Sequence, residues 1–212
     1  MIRRRLTQEE RKKETRRLLI QSAEETFARW GFHGASLEKI ADNAGFSKGA
    51  LYAHFKSKEE LFLVILEERM QAHVDRIREA MQEHRSPDGL LAAMNARFEA
   101  MRASDRTGSM LRLEFLLHAM REEPVRHQWS ERMREAVQQL ADLLDSWGKE
   151  TRQVSSLTAE ELAWVLLALE NGVAILSYVE EERVPSGLYG KALRVLLALE
   201  ERDNACGREQ SG

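Results

Sequence analysis

Lys48, Tyr52, His54 and Lys58 fall close together, among Gly49, Ala50 and Ala53. Polar and small side chains in one short stretch make a surface suited to a DNA groove rather than to a core. Lys48 can donate to guanine O6 or N7. Gly49 and Ala50 are small enough for close backbone approach, and Ala50 suits a thymine methyl. Ser36 is placed to bond a phosphate. A second set lies further along. Glu114 and His118 sit one helical turn apart in an apolar stretch, and Glu170 and Asn171 interrupt the apolar run 162–176. Glu114 and His118 have metal-ligand spacing but no third ligand, and buried Glu and His also pair structurally, so no metal is expected. The sequence has no Gly-rich phosphate loop, no Cys/His zinc set and no nucleophile motif. An enzyme is therefore not expected, an all-α enzyme being the remote alternative, and no cofactor is implied.

The elements that must position the first set follow from the same residues. Ser36 caps a short helix in which Ile40 and Ala41 face inward. Gly45 ends it, because glycine accepts the left-handed conformation a helix stop needs. Ser47 caps a second short helix, with Leu51 and Phe55 on its inner face as core. Two helices of about two turns each, joined by a Gly-containing turn, form a helix-turn-helix. The second helix enters a major groove with its N-terminal residues nearest the base edges. Lys58 lies in the first turn of the next helix, where free N–H groups favour an anion. Plainer readings stand beside these: Lys48 and Lys58 as surface lysines, Tyr52 as half-buried packing, His54 as a capping or packing residue.

The run FSKGALYAHFKSKEEL resembles the recognition-helix signature of the TetR (tetracycline-repressor-like) family of bacterial transcription regulators. The pattern covers roughly residues 15–62: an apolar first helix, Trp30-Gly31-Phe32 at a turn, the helix-turn-helix, then Tyr52, Phe55, Lys58 and Leu61. The resemblance implies an all-α fold in which an N-terminal three-helix DNA-binding domain precedes a larger helical ligand-binding and dimerisation domain, with about nine helices in all. It places Lys48, Gly49 and Ala50 at base-reading positions and Tyr52, His54 and Lys58 at phosphates. Ala53 stands where the more aromatic family members carry a bulky residue.

Composition and charge agree with this architecture. The 212 residues are 43% hydrophobic with three Pro and twelve Gly, which favours an all-α chain with a proper core. Residues 1–58 hold 13 Lys+Arg against 7 Asp+Glu, whereas residues 59–212 hold 19 against 28, under an overall charge of −3. A basic head on an acidic body offers one end to a polyanion. The single Cys206, in a polar tail, fits a reducing cytosol and reads as a spare thiol. No signal peptide is visible. The run Leu162–Leu169 is too short to span a bilayer, so a cytoplasmic protein without membrane contact is expected.

In chain order, Arg3, Arg4 and Arg5 form either a flexible arm along phosphates or a tail without a role. Helix 1 begins at the capping box Thr7–Glu10 and ends near Trp30, with Leu19, Ala23, Phe27 and Trp30 packing onto the helix-turn-helix. Ser57 and Glu60 start a long helix 4, running to about His84, that connects head and body. Helices 5 (about 87–103), 6 (about 108–121), 7 (about 124–151), 8 (about 158–182) and 9 (about 186–201) follow. Helix 6 is apolar nearly all round and is therefore expected to be buried. The expected domains are 1–58, a DNA-binding head; 59–202, an effector-binding and dimerisation body; and 203–212, a disordered tail.

These expectations combine into a homodimeric repressor that leaves a pseudo-palindromic double-stranded DNA operator when a small hydrophobic effector binds. The resemblance implies dimerisation through helices 8 and 9 and a cavity among helices 5 to 8. Polar groups inside apolar helices mark such cavities, which singles out Glu114, His118, Glu170 and Asn171, with Phe98, Met101, Phe115, Trp129 and Trp164 as walls. A DNA-binding regulator without any small ligand is the alternative.

Overall fold

The computed structural model describes residues 7–151 and 156–197. The Arg3–Arg5 arm, Cys206, the expected tail 203–212 and the last turn of helix 9 lie outside the described residues. Among those described, all regular structure is helical: α1 (Gln8–Gly34), α2 (Leu37–Asn43), α3 (Lys48–Tyr52), α4 (Lys58–Glu83), α5 (Pro87–Ser104), α6 (Arg106–Arg121), α7 (Glu123–Thr151), α8 (Ala159–Val179) and α9 (Leu188–Leu196). The starts follow their caps. Thr7 Oγ1 accepts from Glu10 N at 3.2 Å while Glu10 returns the bond to Thr7 N at 2.7 Å. Thr158 and Glu161 repeat this box at α8, and Ser57 Oγ accepts from Glu60 N at 3.1 Å.

Two compact units emerge, and the division falls within α4 and α7. The first takes the described residues up to Asp75 together with Asp105–Ala136; the second takes Arg76–Ser104 and the described residues from Val137 onward. The expected head, 1–58, thus lies in the first unit with α6 and the beginning of α7.

The first unit is built around Leu19, Ala23, Phe27, Ile40, Leu51, Phe55, Leu61 and Phe62, all essentially without solvent contact. Phe32 joins them. Its ring lies 5.2 Å from Phe62 and 5.3 Å from Phe115, both edge-on, and Trp129 meets Phe115 at 6.4 Å. Each such ring pair contributes about 0.5–1.5 kcal/mol beyond the area it buries. Arg69 on α4 adds a polar tie, reaching Glu24 of α1 at 3.2 Å and Asp105 at 3.0 Å.

Three expectations are corrected in this unit. Trp30 does not pack inward; it is 48% exposed, with the Arg29 guanidinium 5.0 Å and the Lys39 ammonium 5.1 Å from its ring. Gly31 explains this: at φ 70° it breaks α1, and the chain then turns Phe32 into the core in place of Trp30. The start of α6 lies at Arg106, because Asp105 caps it by accepting from Gly108 N at 3.2 Å. Nor is α6 buried all round. Phe115 and Ala119 are, but Met110 is 59% and Met120 62% exposed, because one face of α6 packs on α1 and the opposite face carries more apolar residues than that contact covers.

In the second unit α9 packs on α5 and α8. Phe98 stacks on Tyr189 with centroids 4.3 Å apart. Asn95 Oδ1 accepts from Gly190 N at 3.0 Å, Glu99 Oε1 accepts from Gly187 N at 3.1 Å, and Arg194 meets Asp88 at 2.8 Å. Helix α8 ends at Val179, earlier than expected, because Glu180 leaves helical geometry, and α9 begins at Leu188 after Gly187 at φ 76°. By length and composition alone α8 is long and apolar enough to cross a bilayer, a test that a core helix also passes. In this fold it buries Leu162, Ala163, Leu166, Val173, Ala174 and Ser177 against protein.

Candidate nucleic-acid interface

The frame beneath α2 and α3 is fixed by buried polar bonds. Ser22 Oγ of α1 donates to Ile40 O at 2.8 Å, and Asn43 Nδ2 donates to Thr26 Oγ1 at 3.1 Å. The connecting turn closes through Phe46 N to Ala41 O at 2.9 Å, with Gly45 at φ 75°, where a side chain would be strained. Ser47 then caps α3 by accepting from Ala50 N at 3.2 Å. Leu51 and Phe55 anchor the inner face. The outer face presents Lys48 and Gly49 exposed, Ala50 part-exposed and Tyr52 46% exposed.

The seven residues read from the sequence all lie in the first unit, in different states. Lys48 is not a free cation: its ammonium pairs with Glu38 of α2 and lies 5.7 Å from the Tyr52 ring centroid. That pairing holds the Glu38 carboxyl below and the Lys48 ammonium above their usual ranges. Ser36 Oγ accepts from Lys39 N at 3.3 Å, and its hydroxyl donates to the Glu38 carboxylate. Lys58 donates to Ala35 O at 3.2 Å and lies 4.5 Å from the Phe32 ring centroid, so half of its role is to close the α1–α2 connection. His54 is held below the usual imidazole range, first by burial and then by the positive charges of Lys12 and Arg16. This group of α1 cations beside α3 was missed in the sequence, as was Glu38. The four-residue spacing of Lys12 and Arg16 was the available signal; nothing local marks Glu38.

The second set is divided between the units. Glu114, Phe115, His118 and Trp129 come together in the first. The Glu114 carboxylate accepts from Phe32 N and His33 N, each at 3.1 Å, across more than eighty residues of sequence. The His118 ring lies 4.9 Å from Phe32 and 5.6 Å from His33, with its Nε2 4.0 Å from Glu59. Phe98, Met101, Trp164, Glu170 and Asn171 belong to the second unit. Asn171 Nδ2 donates back to Leu167 O at 2.7 Å, Trp164 is 43% exposed, and Met101 is half-buried. Burial and the nearby Glu170 raise the Tyr189 phenol far above its usual range. A cleft of about 220 Å³ opens between the end of α7 and the start of α8, lined by Leu144, Trp147, Gly148, Leu162 and Leu197. Among the described residues, no group of three or more His, Cys, Asp or Glu side chains is arranged to hold a metal ion.

Residues 19–65, which contain this frame, match the family described as bacterial regulatory proteins, tetR family. Over 69 residues the chain is 42% identical to the HTH-type transcriptional activator FasR of Mycolicibacterium smegmatis, a match covering 32% of each chain. It is 30% identical over 87 residues to the fatty acid metabolism regulator protein of Bacillus subtilis, covering 41% of this chain and 45% of that one. The chain thus spans less than half the length of these curated relatives. The fold continues beyond the matched segment. Salmonella enterica GusR superposes over 92% of this chain and 97% of its own, with a TM-score of 0.67 at 25% identity. The Bacillus subtilis regulator FadR, in complex with stearoyl-CoA, superposes over 86% and 96%, with a TM-score of 0.64 at 19% identity, a likeness of fold alone. The signature, the helix-turn-helix geometry and these matches agree: residues 19–65 are a helix-turn-helix segment of the tetR family of bacterial regulatory proteins.

Proposed function

We propose that the protein is a homodimeric, ligand-responsive transcriptional regulator of the cytoplasm, a repressor that leaves a pseudo-palindromic operator when a small hydrophobic effector binds. The observation that carries the DNA reading is the outer face of α3, where Lys48, Gly49, Ala50 and Tyr52 project from a frame fixed by the Ser22–Ile40 bond. Ser36, His54 and Lys58 complete the proposed contact set. One α3 reads only a few base pairs, and a two-fold dimer places two of them about 34–36 Å apart, one DNA turn. Apolar surface left open on α8 and α9 supports dimerisation there: Leu176 is 61%, Val179 74% and Val195 79% exposed. Selection of genomic fragments by the purified protein, followed by footprinting, tests the reading. A protected two-fold site is expected, and binding without sequence preference would refute it.

For the effector, the fatty-acid regulators among the relatives make a long-chain acyl compound the first to try. Phe98, Met101, Trp164, Glu170 and Asn171, all of the second unit, remain the proposed lining, whereas Phe115 and Trp129 are part of the first unit's core. Glu114 and His118 are less suited to it, since the Glu114 carboxylate is occupied by two backbone N–H groups. Stearoyl-CoA is expected to release the operator; an unchanged affinity at saturation would remove it as effector. The alternative is a regulator without a small ligand; the cleft at the α7–α8 connection, about 220 Å³, is by itself smaller than the roughly 300–1,000 Å³ of ordinary ligand pockets. In that case tryptophan emission stays unchanged on adding hydrophobic compounds.

A further inference from the structure

The DNA face carries a carboxylate in its midst. Glu38 lies in the first turn of α2 and reaches across to the Lys48 ammonium at the start of α3, with both side chains about half exposed. The neighbouring lysines are held differently. Lys39 donates to Gly34 O at 3.4 Å and Lys58 to Ala35 O at 3.2 Å, so each meets a neutral carbonyl and keeps its full charge. Lys48 has a full counter-charge. A face built only to attract a polyanion would not place an acidic group there, because any phosphate approaching Lys48 comes equally close to Glu38.

We propose that Glu38 is a specificity-determining residue of the DNA face, cancelling the attraction of Lys48 for phosphate while holding its ammonium ready for a base edge. The physical basis is the difference between the two acceptors. An ammonium has three N–H donors, and Glu38 occupies one side of it. Guanine O6 and N7 are uncharged, so they accept from the remaining N–H groups with little opposition from the neighbouring carboxylate. A phosphate carries a full charge and meets a pair whose net charge is zero. Non-specific affinity comes almost wholly from phosphate neutralisation and counterion release, so the pair removes one cation from non-specific binding and keeps its hydrogen bond for specific binding. Contact with the Tyr52 ring further limits where the ammonium can go.

This inference rests on the DNA reading above, and the test separates the two. Full-length wild type and Glu38→Gln are titrated with the selected operator and with an unrelated duplex of equal length, from about 50 to 200 mM salt. Gln keeps the length and one oxygen acceptor but loses the charge. The variant is expected to bind the unrelated duplex about three- to tenfold tighter at low salt, with a log–log salt slope steeper by about 0.9. Operator affinity should change less, so the ratio between the two DNAs falls. In a Lys48→Gln background the same exchange relieves only the repulsion between Glu38 and phosphate, so both affinities should rise alike and the ratio between the two DNAs should stay where it is. A small loss of thermal stability is expected from the bonds Glu38 makes to Ser36 and to its own backbone within α2, and the ratio between the two DNAs, which such a loss does not move, separates this role from a structural one. An equal gain on both DNAs, an unchanged slope, or a fall in the ratio that persists without Lys48 would each overturn the proposal. A wild-type ratio near one, seen before any variant is compared, would instead remove the operator reading and this inference with it.

Discussion

His54 sits between the α1 cations and the proposed phosphate track, and its depressed basicity makes it a proton-linked contact. Burial and the charges of Lys12 and Arg16 favour the neutral ring in the free protein. A phosphate brought alongside favours the imidazolium, so DNA binding should take up a proton. Operator affinity is then expected to rise as pH falls from about 7.5 towards 6, near the ordinary imidazole value of ~6.5, and His54→Gln should flatten that rise in a pH series of binding titrations. Folding responds in the opposite direction. The folded ring gives up its proton more readily than the unfolded one, so this contribution to stability is present above the unfolded value and is lost as pH falls through the folded one. Glu114 makes a second prediction at this scale. Removing its carboxylate by Glu114→Ala leaves the N–H groups of Phe32 and His33 without that acceptor, a loss of about 1–2 kcal/mol. Thermal denaturation should register it as a few degrees, at roughly 2–4 °C per kcal/mol for a chain of this size. No local pattern announces the Glu114 bond, because its partners lie more than eighty residues away; spacing shows only that a polar group interrupts an apolar helix. Lys48, Gly49 and Ala50 were legible because their exposure follows from the same four-residue step that buries Leu51 and Phe55.

Helix ends were legible at most positions where a side chain closes them, though not at Asp105, which caps α6 earlier than expected. Thr7 with Glu10, Ser47, Ser57, Pro87 and Thr158 with Glu161 all mark starts that the fold keeps. Burial was less legible than helicity. Trp30 and Phe32 are both large and aromatic, and only the positive φ of Gly31 decides which one turns inward. In α6 the apolar count suggested burial on all sides, yet side-chain type does not say how many neighbours a helix will find. Two predictions belong to the elements. Ser22→Ala removes the buried bond that fixes α2 to α1, and about 1 kcal/mol of stability is expected to go with it; chemical denaturation measures this directly. On α8, Leu176→Glu places a charge in the open apolar surface. If that surface carries the dimer, sedimentation velocity should show association weakened by roughly 2 kcal/mol, about thirtyfold in the dissociation constant. An unshifted dimer would move the interface elsewhere.

At the scale of the whole chain, the charge pattern governs how the protein meets DNA. Residues 1–58 carry an excess of Lys and Arg while the remainder is acidic, so a polyanion is drawn to one end and repelled by the other. Within the basic end the cations are not equivalent: Lys58 meets only a neutral carbonyl, Lys48 is paired with a carboxylate, and burial with the nearby cations favours the neutral ring of His54. The salt slope of operator binding should therefore be smaller than the count of basic residues implies, and a titration series in potassium chloride measures it. Fold and family were readable at this scale because the signature sits in one continuous segment. The effector was not, because the candidates Phe98, Glu114 and Trp129 are far apart in sequence and the fold assigns them to separate units.

The Glu114 bond also provides a built-in gauge. Backbone protons that point at a carboxylate resonate at unusually low field and exchange slowly with solvent. In a protein labelled with nitrogen-15, the Phe32 and His33 signals should therefore stand apart from neighbouring loop signals. Any ligand, or any stretch of DNA, that slides α6 along α1 by a fraction of an ångström must move those two peaks together. The first unit thus carries its own displacement sensor, readable without a dye or a mutation.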